Sequence, residues 1–237
     1  MIVRRLVRAL FPSRNEIRID ARSVFTRASK TSVIGCHIEL NNSQLILGPS
    51  AKLVNVRIVM NSGKLIVGES TSLEEQARFL VTDGSIEIGK CSYVRSSVIV
   101  RFGGACSIGD YTTINHDSEI RCDERVSIGS FNMISYQCQI NDTNTHNILP
   151  IAERRAQTLK EYSVMGGEHS KPPTKPVTIT DDCWLGKGVT VLKGVTIGRG
   201  AVIGTRAVVT KDVPEFTVAA GNPAVVVREL DKNLKEG

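Results

Sequence analysis

Four histidines are the side chains in this sequence best suited to moving protons: His37, His116, His146 and His169. A free imidazole titrates near pH 6.5, so its neutral form can accept a proton at neutral pH. His146 closes the run Asp-Thr-Asn-Thr-His, and Asp142 at its head could either fix the imidazole tautomer or turn the chain there. His116 follows Ile114 by two residues, which puts it inward or at a corner. His169 lies in a Gly- and Pro-rich stretch and reads as surface, and His37 reads as scaffold. Metal chemistry has poor material. No two histidines are close neighbours and the six cysteines contain no Cys-x-x-Cys pair, so neither a three-histidine zinc site nor a zinc ribbon or dithiol centre is expected.

His146 and His169 share the one long stretch without periodicity, Asn141 to Pro176. Within it, Ile151 to Tyr162 is expected as a short helix. Loops this long in a compact domain are usually functional or disordered, and this one is flanked by well-formed repeats. After it, from Val177 to Val209, an aliphatic residue recurs at every sixth position: Ile179, Leu185, Val191, Ile197, Ile203 and Val209. Before it the series is Ile108, Ile114, Ile120, Ile128, Ile134 and Ile140, in steps of six with a single step of eight. Two extra residues must therefore bulge at a corner near Asp123 and Glu124, pushing polar groups outward.

A six-residue beat fits neither a strand alone nor a helix. It fits a solenoid in which three short flat sides make one triangular turn. The repeated aliphatic points into the prism and stacks on its counterparts above and below, each burial contributing roughly 1.5–3 kcal/mol. One turn cannot stand alone, so stacking supplies the stability. Glycine directly follows Leu185, Ile197 and Ile203, and earlier Ile34, Leu47, Val67, Ile88, Ile108 and Ile128. There it is expected to supply backbone angles that a Cβ would forbid. The coil starts loosely at about Val33, and residues 33–87, with Asn, Ser and Lys at many corners, read as scaffold. The expected organisation is a basic arm over 1–30, a solenoid over 31–227 interrupted by the loop 141–176, and a tail over 228–237.

Composition agrees with a core of stacked Val and Ile: 41% of residues are hydrophobic and only 5% aromatic. No apolar run approaches the ~20 residues of a membrane span. Cys106, Cys138 and Cys183 each stand two residues before a stacked aliphatic and read as reduced, inward thiols of a cytosolic protein. The whole formal charge of +6 arises in residues 1–30, where eight basic side chains face two acidic ones. There Ile2, Val3, Leu6, Val7, Leu10 and Phe11 fall at helical spacing with Arg4, Arg5 and Arg8 among them, so residues 1–12 are expected as an amphipathic helix ended by Pro12. This helix either covers the open end of the solenoid or rests on anionic lipid at the inner face of the membrane. No aromatic platform accompanies the charge, so nucleic acid is not expected as a partner.

A longer pattern occupies residues 177–228: Trp184-Leu185-Gly186, Leu192 to Gly198, Ala201 to Gly204, Val208 to Pro214 and Ala220 to Ala224. It resembles the hexapeptide-repeat acyltransferases, most of all those that O-acetylate sugars and polysaccharides. The resemblance implies an all-β, left-handed parallel β-helix with a short N-terminal helix, one long inserted loop and a short C-terminal extension. It also implies a homotrimer, with acetyl-CoA as acyl donor in the cleft between neighbouring prisms; the cysteines point to the cytoplasm and the spacings to no metal. In such enzymes a histidine on the loop leaving a coil is the general base, and His146 stands at that place, with Asp142 nearby. By the same matching Asn115, Asp123 and Tyr136 would face the carbohydrate acceptor. Trp184, Lys187, Thr205, Thr210, Lys211 and Arg228 would follow coenzyme A. Two positions depart from the pattern: Val225 stands where the family often has a basic residue, and Thr205 replaces a smaller one.

The chemistry agrees with that resemblance. A sugar hydroxyl is a poor nucleophile near neutral pH, so acetyl transfer from a thioester needs a base within hydrogen-bond reach. Backbone amides and a donor at the coil edge would stabilise the oxyanion. The same base and donor would serve N-acetylation of an amino sugar, free or nucleotide-linked, and the acceptor-facing residues leave that choice open. A non-catalytic scaffold is the reading from another class, and it predicts no thioester turnover. A γ-class carbonic anhydrase shares the fold but needs three histidine ligands, which these spacings do not supply.

Overall fold

The computed structural model describes residues 14–75, 77–162 and 170–231; the helix expected over 1–12 and His169 lie outside them. The strands stack as three walls of a parallel β-solenoid. The first wall passes through Glu16–Ile19, His37–Asn41, the leading halves of Arg57–Val67, Arg78–Ile88 and Ser97–Ile108, then Glu119–Cys122, Gln139–Asn141, Thr190–Val191 and Val208–Val209. The second passes through Val24–Arg27, Gln44–Leu47, the trailing halves of the same three long strands, then Arg125–Ile128, Val177–Ile179 and Thr196–Ile197. The third runs from Ser32–Ile34 to Thr217–Gly221, on which Ala224–Glu229 folds back antiparallel. Along each wall the register steps by one coil, as where Val94 lies on Ile114, Ile114 on Ile134, Ile134 on Leu185 and Leu185 on Ile203.

The six-residue beat is the core. Both aliphatic series, from Ile108 to Ile140 and from Ile179 to Val209, are buried, and so are Cys106, Cys138 and Cys183. All six cysteines are free thiols. The helix expected in the loop is present, α1 (Ile151–Tyr162). Among the described residues no helix is long and apolar enough to cross a membrane.

Two expectations change. The coil begins at Glu16 and not near Val33, because Glu16–Ile19 pairs with His37–Asn41 and Val24–Arg27 with Gln44–Leu47. Of the glycines that follow the aliphatics, only Gly35, at a φ of 63°, serves backbone angle; the others serve close approach. A Cβ on Gly68 would meet the carbonyl carbon of Gly89 at 2.5 Å, and one on Gly109 that of Gly129 at 2.6 Å. The positive φ that this corner needs falls two residues later, on Ser70 at 55° and Tyr111 at 54°.

Candidate active site

The loop 141–176 leaves the prism at the corner between the first and second walls. Its two ends are zipped together where they depart. Thr143 and Thr174 form an antiparallel bridge, the Lys175 N–H donates to the Asp142 carbonyl at 2.8 Å, and the Asn144 N–H donates to the Pro173 carbonyl at 3.2 Å. Thr145 takes a φ of 63° and donates its N–H to Thr143 Oγ1 at 3.1 Å. His146 follows directly and is exposed. The histidine thus stands at the anchored foot of the loop. Beyond it Ile148, Ile151 and Leu159 are 86%, 61% and 77% exposed, so the outer loop and α1 leave apolar surface uncovered.

Asp142 is fully buried. Its carboxylate accepts N–H groups from Asp123 at 2.9 Å, Glu124 at 2.8 Å and Arg125 at 2.7 Å, which closes the bulged corner of the preceding coil. Burial pushes this carboxyl up, against the three N–H groups that hold it down. Of the two roles open to Asp142 from its spacing, turning the chain is the one these contacts perform. The bulge also differs from expectation. Asp123 does not point outward but is completely buried, held by Arg101 through Nε at 3.0 Å and Nη2 at 2.8 Å. Glu124 accepts from Thr174 Oγ1, so the corner grips the returning end of the loop as well.

The other half of the expected site lies at the corner between the third wall and the first wall of the next coil. Asn115 is half-buried there, donating its backbone N–H at 3.0 Å and its side-chain amide at 3.2 Å to the Ile134 carbonyl. Tyr136, 45% exposed, stacks on His116 with ring centroids 5.9 Å apart and planes 12° from parallel. The Gly188 N–H donates to the Tyr136 carbonyl and the Arg206 N–H to the Lys187 carbonyl, both at 2.8 Å. Asn115, Tyr136, Lys187 and Thr205 therefore follow one another up a single edge, with exposed Trp184 on the adjoining third wall. Thr210 and Lys211 are exposed at the loop's corner instead, and Arg228 is exposed on the closing strand.

The first wall separates the two groups. From Ser118 to Asp123 the chain rises about 3.3 Å per residue, so the corners stand ~16 Å apart. His146 thus stands at one edge of the first wall and Asn115 at the other. A groove of about 590 Å³ runs along the Asn115 edge, and its lining includes His116, Arg95 and Gln139 but none of His146, Asp142 and Asp123. The spacing did not reveal Arg101 as the partner of Asp123. Nor did it reveal the cluster of Glu75, Arg95 and His116, in which Glu75 Oε2 lies 3.3 Å from Arg95 Nη1 and 3.0 Å from His116 Nε2. The available signal was the recurrence of polar residues at 55, 75, 95 and 116, one per coil. Among the described residues no cluster of His, Cys, Asp or Glu is arranged to hold a metal ion.

Residues 176–211 match the family model described as bacterial transferase hexapeptide (six repeats). The galactoside O-acetyltransferase of Lactococcus lactis is 31% identical over 163 residues, 68% of this chain and 72% of that protein. The 2,3,4,5-tetrahydropyridine-2,6-dicarboxylate N-acetyltransferase of Halalkalibacterium halodurans is 52% identical over 73 residues, 31% of this chain and 30% of that protein. A solved galactoside acetyltransferase in complex with coenzyme A superimposes with a TM-score of 0.50 at 30% identity, covering 61% of this chain and 64% of that one. This chain spans 30%, 42% and 58% of the length of three of the curated relatives it matches.

Proposed function

Because this chain belongs to the hexapeptide-repeat acetyltransferases, we propose that it transfers an acetyl group from acetyl-CoA to a hydroxyl of a carbohydrate, with His146 as general base. The observation that carries this reading is the foot of the loop. An exposed imidazole is fixed at the edge of a rigid coil by the Thr143–Thr174 bridge and the Asp142 clamp. In the step envisaged, the acceptor hydroxyl gives its proton to the His146 imidazole as its oxygen bonds to the thioester carbonyl carbon. The C–S bond then breaks and the coenzyme A sulfur leaves with that proton. Lys187, Thr205 and Trp184, exposed in neighbouring coils, would line the donor's path, with Lys211 and Arg228 available to its phosphates. Asn115 and Tyr136 would face the acceptor.

The working unit in this reading is a homotrimer. The ~16 Å between the edges keeps His146 from Asn115 within one prism, so a neighbour's loop would complete the site. The uncovered apolar side chains of the outer loop and α1 support such packing. Six free thiols support a reducing, cytoplasmic setting. O-acetylation is favoured over N-acetylation because the galactoside O-acetyltransferase matches 68% of this chain and the N-acetyltransferase 31%.

The direct test follows coenzyme A thiol release from acetyl-CoA across sugars, amino sugars and oligosaccharides. His146→Ala is expected to lower turnover roughly 10²–10⁴-fold, at an unchanged unfolding temperature because the side chain is exposed. Full turnover in that variant would remove His146 as base. Failure of every acceptor to release thiol would remove the transferase reading.

A further inference from the structure

The edge that carries Asn115 and Tyr136 continues toward the N-terminus. Below Tyr136 successive coils present His116, Arg95, Glu75 and Asn55, and the groove of about 590 Å³ follows them. Neighbouring coils are about 4.8 Å apart, so the four steps from Tyr136 to Asn55 measure ~19 Å. In the opposite direction the same edge carries Lys187 and Thr205. One straight edge thus holds the residues proposed for the donor at its C-terminal end, those proposed for the acceptor in the middle, and a long polar groove beyond.

We propose that this groove is an extended acceptor subsite, which binds the sugar units behind the one being acetylated, so that the acceptor is an oligosaccharide or polysaccharide chain and not a single sugar. This rests on the transferase reading above. Three observations carry it. First, the lining is polar throughout, with donors and acceptors side by side: Arg78 and Gln139 on the first wall beside Glu119 and Ser97, and Asn55 at the far end. Sugar hydroxyls both donate and accept, and they match such a mixture. The charges are mixed as well, Arg78 and Arg95 against Glu75, Asp117 and Glu119, so the groove suits a hydroxyl-rich chain better than a uniformly anionic one.

Second, the groove's floor is held in place before any ligand arrives: the Arg95 guanidinium lies 4.2 Å from the centroid of the Tyr93 ring, and Glu75 Oε2 lies 3.3 Å from Arg95 Nη1 and 3.0 Å from His116 Nε2. Groups already fixed by their neighbours lose little freedom when they bind a ligand, which favours affinity. Third, the stacked His116 and Tyr136 rings stand where the groove meets the Asn115 level. Tyr136 is 45% exposed there and offers a flat face against which a pyranose ring can pack.

The test uses the full chain and three acceptor ladders, galacto-oligosaccharides, chito-oligosaccharides and oligouronic acids, each from one to five units. Thiol release from acetyl-CoA gives kcat and KM at each length, and calorimetric titration of the His146→Ala protein gives affinity without turnover. In at least one ladder kcat/KM should rise about tenfold or more from one unit to four, through KM and not kcat. Affinity should rise in parallel, and Arg78→Ala and Gln139→Ala should each remove most of the rise. Turnover and affinity that ignore length in every ladder would overturn the groove and leave the transferase reading standing. Length-dependent binding with no turnover of any acceptor would keep the groove and remove the transferase reading. Loss of the rise in neither variant would also overturn the groove as the place where the chain lies.

Discussion

The carboxylate of Asp142 accepts the backbone N–H of Asp123 at 2.9 Å, across 19 residues of sequence and one step of the coil. The same carboxylate holds Glu124 and Arg125, and the Asp142 carbonyl receives the Lys175 N–H from the returning end of the loop. One residue thus ties the bulged corner to the foot on which His146 stands.

That clamp makes Asp142 a stability residue first. Asp142→Ala strands three buried N–H groups and is expected to cost roughly 3 kcal/mol or more, a fall of about 6–12 °C in Tm for a chain of this size. Asp142→Asn keeps one acceptor and should lose less. Turnover should decline in both as the foot of the loop loosens. A variant inactive at an unchanged Tm would mean instead that Asp142 acts on His146 directly.

Asn115 and His146 stand on opposite edges of the first wall, so subunit mixing can show whether one site draws on two protomers. Asn115→Ala and His146→Ala should each be nearly inactive alone. Co-assembled in equal amounts, they should recover about a quarter of wild-type activity, because one interface in four then joins an intact loop to an intact edge. Activity no greater than the mean of the two pure variants would place both groups in one protomer.

The thiols give a pH-dependent prediction. Burial pushes Cys36, Cys106, Cys122, Cys138 and Cys183 up, Cys106 to about 12. The native protein at pH 8 should therefore react with a thiol reagent at exposed Cys91 alone, and at the other five after denaturation. In the unfolded chain these thiols ionise near their ordinary value of 9.0, whereas in the fold they stay protonated. The folded state then binds more protons, so stability is complete below about pH 9 and declines as pH rises toward the folded values. The urea midpoint should be lower at pH 10 than at pH 8, and a midpoint that rises would contradict the burial of these groups.

The sequence showed the parts of the fold that repeat. Ile179 through Val209 and Ile108 through Ile140 read as a buried stack because an aliphatic residue recurs at every sixth position with a single step of eight, and the structure buries all of them. The first coil escaped notice for a physical reason. Ile17 and Ile19, which lie on Ile38 and Leu40 at the end of the stack among the described residues, are 39% and 42% exposed, and they alternate with Glu, Arg and Asp without a corner glycine. Asp123 and Arg101 were equally hidden, since two charges 22 residues apart look like two solvated corners until the coils stack. The groove residues Glu75, Arg78 and Arg95 carry no hydrophobic signal at all, and only the alignment of one corner above another brings them together.

The Ser130 N–H reaches Asp181 Oδ1 at 2.7 Å and the Cys183 N–H reaches Asn132 Oδ1 at 2.8 Å, each across 51 positions of sequence. The rod resumes after the loop as though nothing had been inserted. The loop is therefore portable. A segment grafted between the strands Gln139–Asn141 and Val177–Ile179, with the Asp142 clamp and the Thr143–Thr174 bridge retained, would ride on a finished scaffold. Evolution and the protein engineer alike can rewrite the loop without rewriting how the chain folds.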